Sequence, residues 1–274
     1  MPTTALILVL VAAVLHAGWN AMAKATDDPL AFLFWAMFGS VILFAGPALI
    51  AFDGVVDSTA LAALGASSLI HALYIVALAG AYRAGDFSQV YPLARGGGVV
   101  GVAIASPLLV GETIGGLGAI GVGCVVAGAM LLGFRRGQLW AAGWALLTAS
   151  MIATYSIVDS IGVDHMHPLV YVAGLGAGTA LLLAPCVRGK GRLRAELRAH
   201  PLRIAAAAAL SMSAYLMVLL AYRLAQTTYV VAAREISIAV SVVLGVVVLG
   251  EPQGGRRFVA ALVILAGVVA IASG

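Results

Sequence analysis

Two arginines interrupt apolar stretches of the sequence, Arg95 within Tyr91-Pro92-Leu93-Ala94-Arg95-Gly96 and Arg234 within Val231-Ala232-Ala233-Arg234-Glu235. A guanidinium is a planar fork that donates two parallel hydrogen bonds, which suits a carboxylate or a phosphate. Holding one at mid-bilayer costs at least about 2.5 to 3.5 kcal/mol, so each should face protein or a water-filled cavity. Glu235 admits two roles: it pairs with one arginine and locks its helix, or it relays a proton.

Further polar groups recur at helical spacing. His16, Trp19, Asn20 and Lys24 fall three and four residues apart, as do Ser67, His71 and Tyr74, Tyr155 and Asp159, and Ser211 and Tyr215. Such spacing puts each set on one helix face, and a polar face in an apolar helix points inward. Histidines and buried carboxylates can carry protons near neutral pH, which makes His16, His71, Asp159 and Glu235 candidates for that task. Lys24, at a helix end, reads as an interfacial charge that snorkels. Gly96 to Gly98 follow Pro92, a combination that either opens the helix backbone toward an anion or lets helices approach closely.

Other chemistry is excluded. No Gly-Lys-Ser or Gly-Lys-Thr follows the glycine run, so nucleotide hydrolysis has no support. Cys124 and Cys186 lack metal or redox spacing and read as small packing residues. No set of nucleophile, base or metal ligands converges, so neither an enzyme nor a metal or cofactor is expected.

The elements that position these residues follow from composition. Of 274 residues, 63% are hydrophobic and 9% charged, where a soluble domain is nearer a quarter charged. With a mean hydropathy of +1.10 the chain is expected to take the bilayer as its solvent. The net charge of +4 sits in membrane loops, so nucleic acid is not an expected partner. Charges and turn residues divide the chain into ten spans at about 4–24, 30–52, 60–83, 87–110, 114–133, 138–160, 168–187, 201–222, 228–249 and 254–273, at roughly 20 residues each. The first carries no cleavage site and stays in the chain as a helix.

The two halves repeat. Ala81-Tyr82-Arg83 recurs 140 residues on as Ala221-Tyr222-Arg223, and an offset of 139 relates Ala94-Arg95 to Ala233-Arg234, Gly111-Glu112 to Gly250-Glu251, Pro29-Leu30 to Pro168-Leu169, and Gly39 to Gly178. Five helices per copy is an odd number, so residues 1–134 and 135–274 should form a 5+5 inverted repeat, the plan of many secondary transporters. Loops after odd spans hold 12 Lys and Arg against one, Arg223, on the other side. The odd loops are therefore expected in the cytoplasm and both termini outside a plasma (inner) membrane. Glu112 and Glu251 should complement the helix N-termini that follow them.

The series His16-Ala17-Gly18-Trp19-Asn20 with Lys24, Tyr82-Arg83-Ala84-Gly85-Asp86, Tyr91-Pro92-Leu93-Ala94-Arg95-Gly96 and Leu109-Val110-Gly111-Glu112 resembles the drug/metabolite transporter superfamily, in its ten-helix EamA-type branch. The resemblance implies an all-α membrane permease or exporter that moves small metabolites through a central cavity lined by spans 1 to 4 and 6 to 9. A flippase for a lipid-linked substrate or a polytopic membrane enzyme is the alternative. The expected partners are a small, anionic or zwitterionic substrate and the lipid bilayer, with a homodimer admissible. The candidate substrate-binding set is His16, Trp19, Asn20, His71, Tyr74, Tyr91, Arg95, Tyr155, Asp159, Tyr215, Arg234 and Glu235.

Overall fold

The computed structural model describes residues 1–55, 57–85, 87–133, 139–187, 191–238, 240 and 255–273. Asp86, Arg135, Arg136, Arg188, Lys190, Gly250, Glu251 and the later part of the ninth span lie outside them. Eleven helices are described: α1 Thr3–Lys24, α2 Pro29–Ala51, α3 Ser58–Ala84, α4 Phe87–Leu109, α5 Gly116–Gly133, α6 Leu139–Asp164, α7 Pro168–Leu183, α8 Arg192–Ala199, α9 Pro201–Tyr222, α10 Thr227–Ala233 and α11 Gly255–Ser273. Five of them, α1, α2, α3, α6 and α9, are long and apolar enough to cross a membrane, and α4, α5, α7 and α11 contain shorter apolar helical runs.

Local sequence sets the helix starts. Asp28 accepts the Ala31 N–H ahead of Pro29, and His167 accepts the Leu169 N–H ahead of Pro168. In both, proline takes the first turn, where its missing N–H costs nothing. Asp57 accepts from Thr59 and Ala60 and starts α3. Large apolar side chains such as Ile50 (88% exposed) and Leu108 (80%) face outward, as lipid-facing positions should.

Several readings of the sequence change. The fourth span does not open: α4 is continuous through Pro92 and Gly96 to Gly98. Its glycines serve packing, because a Cβ on Gly97 would come within 2.8 Å of Ala149 Cβ in α6, and one on Gly98 within 2.6 Å of Ile152 Cγ2. The interrupted element is the ninth, where α10 ends at Ala233 and the chain turns at Arg234 and Glu235. The 188–203 loop contains the short helix α8, whose Leu193 carbonyl accepts the Trp35 indole N–H. Cys186 is exposed rather than packed.

Contacts between helices exchange under the offset seen in the sequence. Gly39 in α2 packs on Ala208 in α9, and Gly178 in α7 packs on Ser68 in α3, which are positions 139 and 140 residues apart. Between α5 and α11, Gly128 meets the Ala260 carbonyl while Gly267 meets the Gly121 carbonyl, and these pairs interchange at an offset of 139.

Polar ties close the two ends of the bundle. At one end Asp28 binds Arg83 at 2.9 Å and Arg192 at 2.6 Å. Lys24 donates there to the carbonyls of Tyr82 (2.5 Å) and Gly85 (3.1 Å), so it neutralises the C-terminus of α3 rather than snorkelling. At the other end His165 lies 3.5 Å from Asp57. There Glu112 accepts from Thr227 N, Thr228 N and Thr228 Oγ1. Glu112 therefore caps α10 and not the helix that follows it in sequence.

Candidate functional site

The helical spacing of His16 with Trp19, His71 with Tyr74, and the lone inward rings of Tyr155 and Tyr215 brings six aromatic or imidazole side chains to one place. They wall a cavity between α1, α2, α3, α6, α7 and α9. His71 and Tyr155 lie 4.1 Å apart between ring centroids, tilted by 31°. Tyr74 meets Tyr155 edge-on at 5.5 Å, Tyr215 meets His71 at 5.3 Å, and His16 meets Trp19 at 4.9 Å. Edge-to-face arrangements of this kind are favourable and hold the wall rigid. Ser67 Oγ lies 3.1 Å from His71 Nδ1 and fixes that ring.

The other six expected residues stand behind the wall. Asn20 is fully buried, donates to the His16 carbonyl at 2.8 Å and accepts the Tyr82 hydroxyl at 2.6 Å, tying α1 to α3. Asp159, also fully buried, accepts the Tyr171 hydroxyl at 2.7 Å and the Tyr215 hydroxyl. Its work is to orient Tyr215. Tyr91 donates to Ser237 at 3.1 Å, joining α4 to the segment after α10.

Arg95, Arg234 and Glu235 form one buried group. Arg95 Nη2 is 2.7 Å from Glu235 Oε1 and Nε is 3.3 Å from Oε2, a two-point contact with side chains 3% and 0% exposed. Arg234 is 1% exposed, and neither of its terminal nitrogens has a hydrogen-bond partner. Its guanidinium carbon stands 6.0 Å from the centre of the Tyr215 ring. Both arginines are within electrostatic reach of His16, whose ring nitrogens also lack a partner. The group thus abuts the cavity at His16 and Tyr215 instead of lining it.

Sequence reasoning missed the apolar part of the wall, Leu33, Met37, Ile75, Leu175 and Met212, and one polar member, Thr179. Apolar lining residues carry no signal in an apolar helix. Thr179 did carry one, since the 139-residue offset relates it to the buried Ser40. No group of three or more metal-ligating side chains occurs among the described residues.

Comparison with known proteins bears on this arrangement. Twenty-nine solved chains match the fold. One, described only as the crystal structure of a protein, superposes with a TM-score of 0.71 over 99% of this chain and 98% of its own, at 17% identity, a likeness of fold alone. No curated protein matches the sequence. Residues 139–273 match the EamA-like transporter family, part of the drug/metabolite transporter superfamily.

Proposed function

We propose that the protein is a secondary transporter that carries a small metabolite through the central cavity by alternating access. The observation that supports this most directly is the composition of the cavity wall, drawn from α1, α2 and α3 of one half and α6, α7 and α9 of the other. A solute held there sits where two halves can rock against each other. We read residues 1–134 and 135–274 as two five-span copies of opposite orientation, ten spans in all. The contacts that interchange at an offset of 139 residues support that reading. The Asp28 ties at one end and the Asp57 and Glu112 ties at the other are contacts that can open in alternation.

Arg234 makes the solute anionic or zwitterionic on this reading, since Glu235 already neutralises Arg95. The bias of 12 to 1 in loop Lys and Arg puts the odd loops in the cytoplasm and the termini outside the plasma membrane.

Reconstituted protein should show saturable counterflow of at least one solute in a panel of amino acids, organic acids and organic cations. Well-folded His71→Ala and Tyr155→Ala proteins should lose most of that flux. Absence of saturable flux for every class, or unchanged flux in both variants, would overturn the proposal.

A further inference from the structure

Arg95 and Arg234 occupy matching places in the two copies, yet their surroundings differ. The residue after Arg234 is Glu235, which contacts Arg95 at two points. The residue after Arg95 is Gly96, and no side chain fits there, because a Cβ would fall 2.4 Å from Ala129 Cβ. The local repeat therefore supplies one carboxylate for two guanidinia. Asp159, another buried carboxylate nearby, has an oxygen on each of the Tyr171 and Tyr215 hydroxyls. Arg234 remains 1% exposed with Nη1 and Nη2 lacking any acceptor.

A buried guanidinium without acceptors bears its full desolvation cost, and an acceptor from outside the chain relieves it. Arg234 stands behind the wall against the Tyr215 ring, so an acceptor in the cavity reaches it by displacing the side chain of Tyr215 or of the nearby His16, both of which belong to that wall. The rest of that wall has its own selectivity. The His71 and Tyr155 rings and the edge of Tyr74 favour a flat π system over a saturated body. Among the described residues no carboxylate lines the cavity, so an ammonium group finds no ion pair there.

We propose that the cavity takes a monocarboxylate on a flat aromatic or conjugated body, with the carboxylate on Arg234 and the ring against His71 and Tyr155. This names the solute class for the transporter reading above and rests on it, although binding can be measured without flux.

The test uses purified full-length protein and four probes: benzoate, benzamide, benzylamine and acetate. Benzoate should bind at least about tenfold more tightly than each of the others, the factor expected for charge-assisted hydrogen bonds. Equal binding of benzamide or benzylamine would overturn the role of the anion, and equal binding of acetate would overturn the role of the ring. Arg234→Gln should weaken benzoate at least about tenfold and leave benzamide unchanged. Undiminished benzoate binding by folded Arg234→Gln would remove the site. If that variant does not fold, the four-probe comparison on the unmodified protein decides alone. Counterflow of labelled benzoate in liposomes separates the two claims. Binding without flux overturns the transporter reading and leaves the anion site standing, whereas flux of other solutes without benzoate binding does the reverse.

Discussion

The Arg95 guanidinium and the Glu235 carboxylate meet at 2.7 Å across 140 residues of sequence, with both side chains sealed from solvent. Removing one partner of such a pair strands the other charge, which costs about 3 to 5 kcal/mol. Arg95→Gln and Glu235→Gln should each lower the unfolding free energy of the detergent-solubilised protein by that order. The double variant should be more stable than the sum of the two losses predicts. Strictly additive losses would mean that the two side chains do not act as a pair.

Asp159 separates two tyrosines by function. It accepts the hydroxyls of both Tyr171 and Tyr215, but of these two only Tyr215 borders the cavity. Tyr171→Phe and Tyr215→Phe should each cost about 1 to 3 kcal/mol, since each leaves a buried carboxylate oxygen without a donor. Only Tyr215→Phe should also change the apparent affinity for the transported solute, measured as half-saturation of counterflow. Equal effects of the two variants on that affinity would show that Tyr215 acts through the scaffold.

The sequence announced much of this architecture through one number. An offset of 139 links His16 to Tyr155 and Asn20 to Asp159, so the first and sixth helices each place a ring toward the cavity and a hydrogen-bonding group one turn behind it. The intramembrane arginines were legible because an ionised group in an apolar run needs a reason. What each arginine touches was not legible, since Glu235 reaches Arg95 across the bundle while its neighbour in sequence, Arg234, is left without acceptors. Nor was the helix that breaks. Glycine and proline in α4 carry the composition of a break, yet neighbouring helices press so closely on Gly96, Gly97 and Gly98 that the same residues serve packing. Composition weighs backbone freedom and says nothing about what lies 3 Å away.

Close approach of α5 and α11 gives a steric test. A Cβ on Gly267 would lie 2.6 Å from the Gly121 carbonyl oxygen, whereas one on Gly123 meets nothing within 4 Å. Gly267→Leu should therefore force the helices apart at a cost of about 1 to 3 kcal/mol, and Gly123→Leu on the same α5 should be nearly neutral. Thermal unfolding of the two variants side by side checks this. Equal tolerance would show that the α5–α11 contact is looser than the structure has it.

Asp57 gives a pH dependence. The Ala60 N–H, the Thr59 N–H and His165 hold its carboxyl below the usual carboxylate range, outweighing the opposing effect of desolvation. A carboxylate with a depressed pKa in the folded state contributes stability above its unfolded pKa, near 3.9, and loses it as pH falls through the folded value. The thermal midpoint of Asp57→Asn should therefore lie below that of the unmodified protein at pH 6. The gap should narrow as pH falls below about 4. A gap that is constant from pH 6 down past that region would assign the effect to lost packing rather than to charge.

Sidedness can be read from two exposed positions at opposite ends of the bundle. Arg194 lies on α8, at the end where Asp28 binds Arg83 and Arg192, and Asp53 lies in the loop before α3, near the end where His165 approaches Asp57. By the positive-inside tendency, the excess of Lys and Arg in the loops at the Arg194 end predicts that this end lies in the cytoplasm. With Cys124 and Cys186 replaced by serine, a cysteine at position 53 should react in intact cells with a membrane-impermeant maleimide, and a cysteine at 194 should react only after the membrane is permeabilised. The opposite pattern would invert the protein in the membrane while leaving the cavity and its arginines as described. Labelling of both positions in intact cells would place the two ends on one side, which an odd number of crossings between them forbids, and would therefore break the proposed span count between α2 and α8.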